Sequence, residues 1–434
     1  MEALYSIVNF IATYILGVPA IMIALVSMVG LILQKKDVSV VISGTMKSAM
    51  GYIILSAGAG ILVGCMTPLG NIMNEIFGFQ GFFPNDESVT AAIMDTYGRV
   101  SVLSMVVCFL VNLVFARLTK FKYIFLTGHI SLFFNMLVCV LIEVQLGITK
   151  LWQVVLLSGI ICGIYQPLTI GLCQKYTNAV THNAGIGLAH SSNFQAWLGG
   201  FLGEKFGDKS KSTEDIKLPK WASMFRDAPL ATGTAMFLVF LVVAFIAPRE
   251  YMLEQAGGQG RFMWAVMNGL EFGAGITILL SGVRMLIAEI VPAFKGFADK
   301  VVPDAIPGLD CPVVMPYAPT AWLLGFAISL IIGIIITLLS AGPLHIEYVL
   351  IAGVIPHFFG SGPAAVYGNA TGGLKGAVIA AVVSSIVMSF AIQALIPLTG
   401  EVVIATGMTW GESDMGVWGV VLGYIFKFIG TIIH

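Results

Sequence analysis

The sequence predicts an all-α polytopic membrane protein, with about eleven transmembrane helices in two inverted five-helix repeats plus re-entrant segments. Three observations carry this expectation. First, 58% of the 434 residues are hydrophobic, only 10% are charged, and the mean hydropathy is +0.94. Soluble domains carry about 25% charged residues. So few charges cannot cover a water-exposed surface of this size, so most of the surface must face lipid. Second, apolar runs of spanning length recur along the whole chain. Third, the two halves share a weak internal repeat.

A spanning helix needs about 20 mostly apolar residues. Such runs lie near 7–33, 48–68, 99–117, 123–146, 151–173, 229–248, 264–291, 319–340, 347–360, 375–396 and 416–433. The run at 347–360 is short and ends in Gly360-Ser361-Gly362-Pro363, the pattern of a broken or re-entrant segment. The first run is too long for a signal-peptide core and has no basic stretch before it, so it reads as the first spanning helix.

Lys and Arg fall mostly on one side of this layout. Lys35, Lys36 and Lys47, then Arg117, Lys120 and Lys122, then the 174–228 segment, then Lys295, Lys300, Lys375 and Lys427, share a side. The opposite side holds Arg99, Lys150, Arg249 and Arg261, and an acidic 400–416 segment without Lys or Arg. The positive-inside rule then puts the N-terminus outside and the C-terminus in the cytoplasm. Residues 174–228 read as a long cytoplasmic loop whose charged part, from Gly203 to Asp227, is either a solvated face or a docking surface for a soluble partner.

The repeat has one offset. Adding 224 carries Gly58 to Gly282, Leu62 to Leu286, Pro68 to Pro292 and Asp86 to Asp310. Five spans per copy is an odd number, so the second copy inserts upside down. Inverted repeats hold their substrate at the repeat interface, near the bilayer midplane.

Polar groups at that depth are expensive unless they are paired, so each marks a candidate site. Four clusters stand out: Pro84-Asn85-Asp86-Glu87; Thr127-Gly128-His129; Gly187-Leu188-Ala189-His190-Ser191-Ser192-Asn193-Phe194-Gln195; and Gly308-Leu309-Asp310. Carboxylates, amides and imidazoles suit a polyhydroxylated ligand, because each can bond adjacent hydroxyls. Arg284 and Glu289 are five residues apart, off any common helix face, and read as structural. His357 beside the Gly-rich break either caps exposed carbonyls or lines a gate. The six cysteines form no CxxC pair and read as packing residues. Net charge is −1, with no basic tail to suggest nucleic acid. No P-loop, HExxH or nucleophile elbow is present, and no metal or cofactor is expected.

Several blocks together resemble a known family. They are Lys36-Asp37-Val38-Ser39-Val40 with Gly44-Thr45-Met46-Lys47, Gly58-Ala59-Gly60-Ile61-Leu62, Thr127-Gly128-His129, Ala189-His190, Glu214-Asp215-Ile216-Lys217-Leu218-Pro219, Gly282-Val283-Arg284-Met285 with Ala288-Glu289, and Asp310-Cys311 followed by Ala318-Pro319. They are similar to the ascorbate-type enzyme IIC of the bacterial phosphoenolpyruvate-dependent phosphotransferase system, in order over nearly the whole chain.

The resemblance implies one IIC membrane domain over 1–434, with repeats at about 1–200 and 228–400, a final helix at 416–433, and no IIA or IIB domain. It implies a homodimer in the bacterial inner membrane, each protomer having a transport core and a second domain that carries the dimer contact. It implies inward movement of a sugar, which a separate phosphocysteine IIB phosphorylates after being charged by IIA. Asn85, Asp86, His129, His190, Ser191, Ser192, Asn193 and Asp310 are the expected substrate-binding residues. Of these, His129, His190 and Asp310 fall on family site positions. Elsewhere the chain departs from the family. Phe133 and Phe134, then Ser191, Ser192 and Asn193, stand where the family has glutamines, and the Asp86-Glu87 region replaces Thr-Tyr. Ascorbate is a monoanion that extra carboxylates would repel, so a neutral sugar or alditol is the alternative substrate. A proton-driven secondary transporter, with His129, His190 and Asp310 as its relay, is the alternative mechanism.

Overall fold

The computed structural model describes residues 19–77, 80–216 and 227–433. The expected span at 7–33 begins before them, and Lys217, Lys220 and Arg226 of the charged segment lie outside them.

The first half runs α1 (Pro19–Leu33), α2 (Val38–Phe77), β1 (Gln80–Pro84), α3 (Asp86–Ala92), α4 (Met94–Leu118), β2 (Tyr123–Phe125), α5 (Gly128–Leu146), α6 (Leu151–Thr181), β3 (Gly187–Leu188) and α7 (Asn193–Phe206). The second runs α8 (Ala228–Ile246), α9 (Arg249–Gln255), α10 (Arg261–Val301), β4 (Ile306–Leu309), a 3-10 stretch (Cys311–Tyr317) and α11 (Pro319–Ala341). It continues through β5 (Tyr348–Leu350), α12 (Gly362–Leu395), β6 (Met408–Thr409) and α13 (Ser413–Ile433). The chain is an all-α multi-pass membrane protein. Among the described residues, seven helices are long and apolar enough to cross a bilayer, with Val38–Ile54 and Met236–Ile246 as shorter apolar helices.

Several expected boundaries shift. The run at 48–68 is the middle of one 40-residue helix, α2, which continues through Pro68. The run at 123–146 opens with a strand before α5 begins. The supposed loop at 174–228 holds the end of α6, then β3, then the 14-residue helix α7. Polar residues such as Gln174, Thr177 and Asn193 masked this structure in a hydropathy reading, yet all three are buried. The 400–416 segment is not simply an exposed acidic face, because Glu412 and Asp414 are 5% and 0% exposed. The short run at 347–360 is broken as expected. It comprises β5, a single turn at Val354–Pro356 and one π-helical turn at His357–Ser361.

The 224-residue offset recurs in the elements. It maps α2 onto α10 and α4 onto α11 to within one residue at each end. It maps β2 onto β5 within one residue and overlaps β1 with β4. The six short strands form two parallel sheets with reciprocal composition. Strand β1 sits between β5 and β6 of the second half, and β4 sits between β2 and β3 of the first. Each half therefore supplies the central strand of the other's sheet.

Two packing groups result. The long helices α2 and α10 pack on one another and on α1 and α8. Helices α4 to α7 and α11 to α13 pack together as the other group. Small residues set the closest contact in the second group. A Cβ on Gly199 would lie 2.2 Å from the Ala364 oxygen, one on Gly203 2.6 Å from the Gly368 oxygen, and one on Gly207 2.2 Å from Gly372 Cα. The spacing is small-xxx-small on both α7 and α12, which lets two backbones touch.

The same contact explains a break in α12. Gly372 and Gly373 leave helical geometry, with Gly373 at φ +59°, a region open to glycine. Interrupted helices at membrane depth survive only where neighbours satisfy the freed backbone. Here Asp208 N–H donates to the Gly372 oxygen at 2.8 Å, and Leu374 N–H donates to the Lys211 oxygen at 2.7 Å. Glu214 then accepts from Thr320 and Ala321 N–H at 3.2 and 3.0 Å, capping α11. Part of the charged segment thus serves the fold. Glu204, at the exposed end of α7, accepts from Lys175 at 2.7 Å and from Tyr176, bonds that hold its carboxyl below the ordinary range.

Candidate functional site: a cavity between the two packing groups

Five chain breaks converge on one place. Asn85 is fully buried and caps α3, accepting from Ser88 N–H at 2.7 Å. Its Nδ2 donates to Glu87 at 3.0 Å. Asp86 and Glu87 follow in the first turn of α3. His129 occupies the first turn of α5, immediately after β2 and Thr127. His190 follows β3, Asp310 follows β4, and Glu412 follows β6. Helix N-termini carry partial positive charge, so their convergence favours carboxylates and polar ligands alike.

The cavity there measures about 460 Å³. One wall comes from the strand-and-turn group: Asp86, Glu87, His129, His190, Asp310 and Glu412, with Phe358 and Phe359. The facing wall comes from α10 and the start of α8, with Thr277, Ser281 and Arg284 as its polar members beside Asp227.

The polar groups form a chain. His129 Nε2 lies 3.6 Å from one oxygen of Asp310, and His190 Nε2 lies 3.6 Å from the other. His190 Nδ1 lies 2.8 Å from Ser192 Oγ and 3.4 Å from Glu412. Asp310 also accepts from Cys311 N–H at 2.7 Å, which fixes its rotamer. It is the most open member, 39% exposed at its side chain, whereas the two imidazoles are 10% and 5% exposed. Asp86, its counterpart at the 224 offset, accepts from Gly411 N–H at 2.6 Å. Each aspartate thus follows the central strand of its sheet. The His129 Nδ1 and Asp86 Oδ2 atoms are buried without a partner among the described residues.

The eight expected residues therefore divide. Asp86, His129, His190 and Asp310 line the cavity. Asn85, Ser191, Ser192 and Asn193 lie behind it. Ser191 donates to Glu412, Ser192 meets His190, and Asn193 donates to the Leu188 oxygen at 2.9 Å. Glu412 and Arg284 add to the site. Glu412 was hidden in a segment read as an external loop. Arg284, read as structural, lines the cavity, while Glu289 pairs with Lys47 at 3.3 Å. Phe133 and Phe134 are buried, Phe134 stacked on Tyr165 at 4.4 Å between ring centroids. His357 Nδ1 meets Ser329 Oγ at 2.6 Å, so it braces the broken segment from behind. His190, Asp310 and Cys311 bring ligand atoms within 4.8 Å of one another. The cysteines are all free and buried.

A family model described as the sugar-specific permease component of the phosphotransferase system matches residues 14–414. The chain belongs to this family. It is also 30% identical, over 430 aligned residues, to the ascorbate-specific PTS system EIIC component of Mycoplasma pneumoniae. That alignment covers 86% of this chain and 65% of the relative, so the chain spans just under two thirds of the relative's length.

Proposed function

We propose that this chain is the sugar-translocating IIC subunit of a phosphotransferase system, importing L-ascorbate or a related sugar across the bacterial inner membrane. His129, His190 and Asp310 bind the substrate hydroxyls, with Asp86 and Glu412 beside them. Asn85, Ser191, Ser192 and Asn193 hold that wall in place. The observation that carries the reading is the two imidazoles flanking one half-open carboxylate in a cavity of about 460 Å³. A cytoplasmic IIB, charged by IIA, phosphorylates the arriving sugar. The subunit works as a homodimer with its N-terminus outside. The group bearing His129 and Asp310 moves in an elevator-like manner against the α2–α10 group.

The test is product identification. Membranes containing this protein and a matching IIB are offered a panel of sugars, and phosphorylated products are assigned. IIB-dependent phosphorylation of one sugar is expected. Accumulation at the wild-type rate without IIB, dependent on a proton gradient, would instead support a secondary transporter.

A second reading keeps the system and changes the cargo to a neutral sugar or alditol. It is favoured by Asp86, Glu87 and Glu412, which share the wall with Asp310. Arg284 decides between the two, being the Lys or Arg that lines the cavity among the described residues. Replacing it with Gln should weaken binding of an anion by about tenfold or more, because a charge-assisted hydrogen bond is worth roughly 1.5–3 kcal/mol. A neutral sugar should change by less than about threefold. Titrating both probes into purified R284Q gives the answer directly.

A further inference from the structure

We infer that Phe359 is a platform for the face of a sugar ring, so that the cargo is cyclic rather than open-chain. This rests on the permease reading above and narrows its substrate class. The cavity has two kinds of wall around one corner. His129, His190 and Asp310 give the polar wall, and Phe358 and Phe359 give an aromatic one.

The backbone explains how the ring reaches the corner. His357–Ser361 is a π-helical turn, wider than an α-helical one, and such turns often re-aim side chains at functional sites. Its two ends are pinned. His357 Nδ1 meets Ser329 Oγ at 2.6 Å, Ser361 Oγ bonds the same hydroxyl at 2.8 Å, and Gln195 Nε2 donates to Ser361 at 3.1 Å. These bonds turn one side of the segment toward α11 and leave Phe359 toward the cavity.

The ring is also held rigid. Phe358 meets it edge-on at 5.0 Å, and the fully buried Trp322 meets it at 6.4 Å and 85°. Phe358 is 3% exposed, whereas Phe359 is only partly buried, so Phe359 is the one that offers surface to a ligand. His190 lies 6.4 Å from the Phe359 centroid. That is too close for a sugar to slip between them, so the two rings form adjoining sides of one corner. A pyranose presents hydroxyls around its rim and weakly positive C–H bonds on its faces, and ascorbate presents a flat lactone ring that can stack. The rim suits the imidazole and carboxylate, and the C–H face suits the negative face of a phenyl ring. An open-chain polyol has no flat face to offer, and it would lose more rotamer freedom on binding.

The test uses probe pairs matched in charge and carbon number. D-glucose is compared with D-glucitol, and L-ascorbate with L-gulonate, by calorimetry on the full chain in lipid nanodiscs. In the wild type, the ring member of at least one pair should bind about five- to tenfold more tightly. Phe359→Leu should remove most of that preference, and Phe359→Tyr should keep it. A change in packing alone would weaken both members equally. Preference for the open-chain member, or a ring preference unaltered in a folded F359L protein, would overturn the inference. If the partner-dependent phosphorylation assay succeeds while this preference is missing, only the ring platform fails. If no probe binds and none is phosphorylated, the permease reading falls with it.

Discussion

Asp310→Asn should weaken sugar binding by about ten- to a hundredfold while the protein still folds. The carboxylate is flanked by two imidazoles at 3.6 Å each, so in the proposed site it orients His129 and His190 and is the acceptor offered to the substrate. Asparagine keeps the shape and can still accept from Cys311 N–H, so the local turn survives. What disappears is a charged acceptor, worth roughly 1.5–3 kcal/mol once a bound ligand covers it. His129→Ala and His190→Ala should show losses of the same order. Equilibrium binding by calorimetry, with thermal unfolding measured in parallel, separates the two effects. Affinity within twofold of wild type for all three variants would make these residues structural.

Gly203→Leu should prevent recovery of folded protein. A Cβ at this position would stand 2.3 Å from Thr371 Oγ1 and 2.6 Å from the Gly368 oxygen, so α7 and α12 cannot keep their contact. Overpacking costs about 1–3 kcal/mol where side chains can adjust, and here a backbone oxygen stands in the way. Gly203→Ala should lower the melting temperature measurably, and leucine should leave mainly aggregate on size exclusion in detergent. Gly64, also in a long helix, has nothing among the described residues within 4 Å of its missing Cβ. Gly64→Ala should therefore be neutral or slightly stabilising. Equal behaviour of the Gly203 and Gly64 variants would refute the contact.

Hydropathy made much of the membrane layout legible in advance. Long apolar helices such as α4, α6 and α11 fall close to where the apolar runs put them, because lipid imposes length and composition together. The strands did not show. Gly187-Leu188 and Met408-Thr409 are too short for any period, and each is a strand only because a distant partner pairs with it. Helix α7 was missed because its buried face is glycine and polar, the opposite of an apolar run. In the candidate site, the cost of a lone polar group singled out His129, His190 and Asp310, which line the cavity. The same logic does not separate a residue in the wall from one behind it, and so Ser191, Ser192 and Asn193 were grouped with the rest. Glu412 was overlooked because the 400–416 stretch reads as an external acidic loop, while tertiary pairing of β1 with β6 draws it inside.

The reciprocal strands also constrain how the chain can be made. Gln80 pairs with Tyr348, and Phe83 with Met408, so the nascent first half leaves the ribosome with both edges of β1 unpaired. Those partners are synthesised about 270 and 325 residues later, and at roughly 5–20 residues per second that is a wait of tens of seconds. Unsatisfied backbone groups are costly in hydrocarbon, so the early half needs shelter at the insertion machinery or a provisional partner. Closing such distant pairs also makes the last folding step slow and sensitive to truncation. Ribosome stalling or a nonsense mutation anywhere before β6 would therefore leave a truncated chain that is inserted but lacks a partner for β1, a ready substrate for membrane proteases.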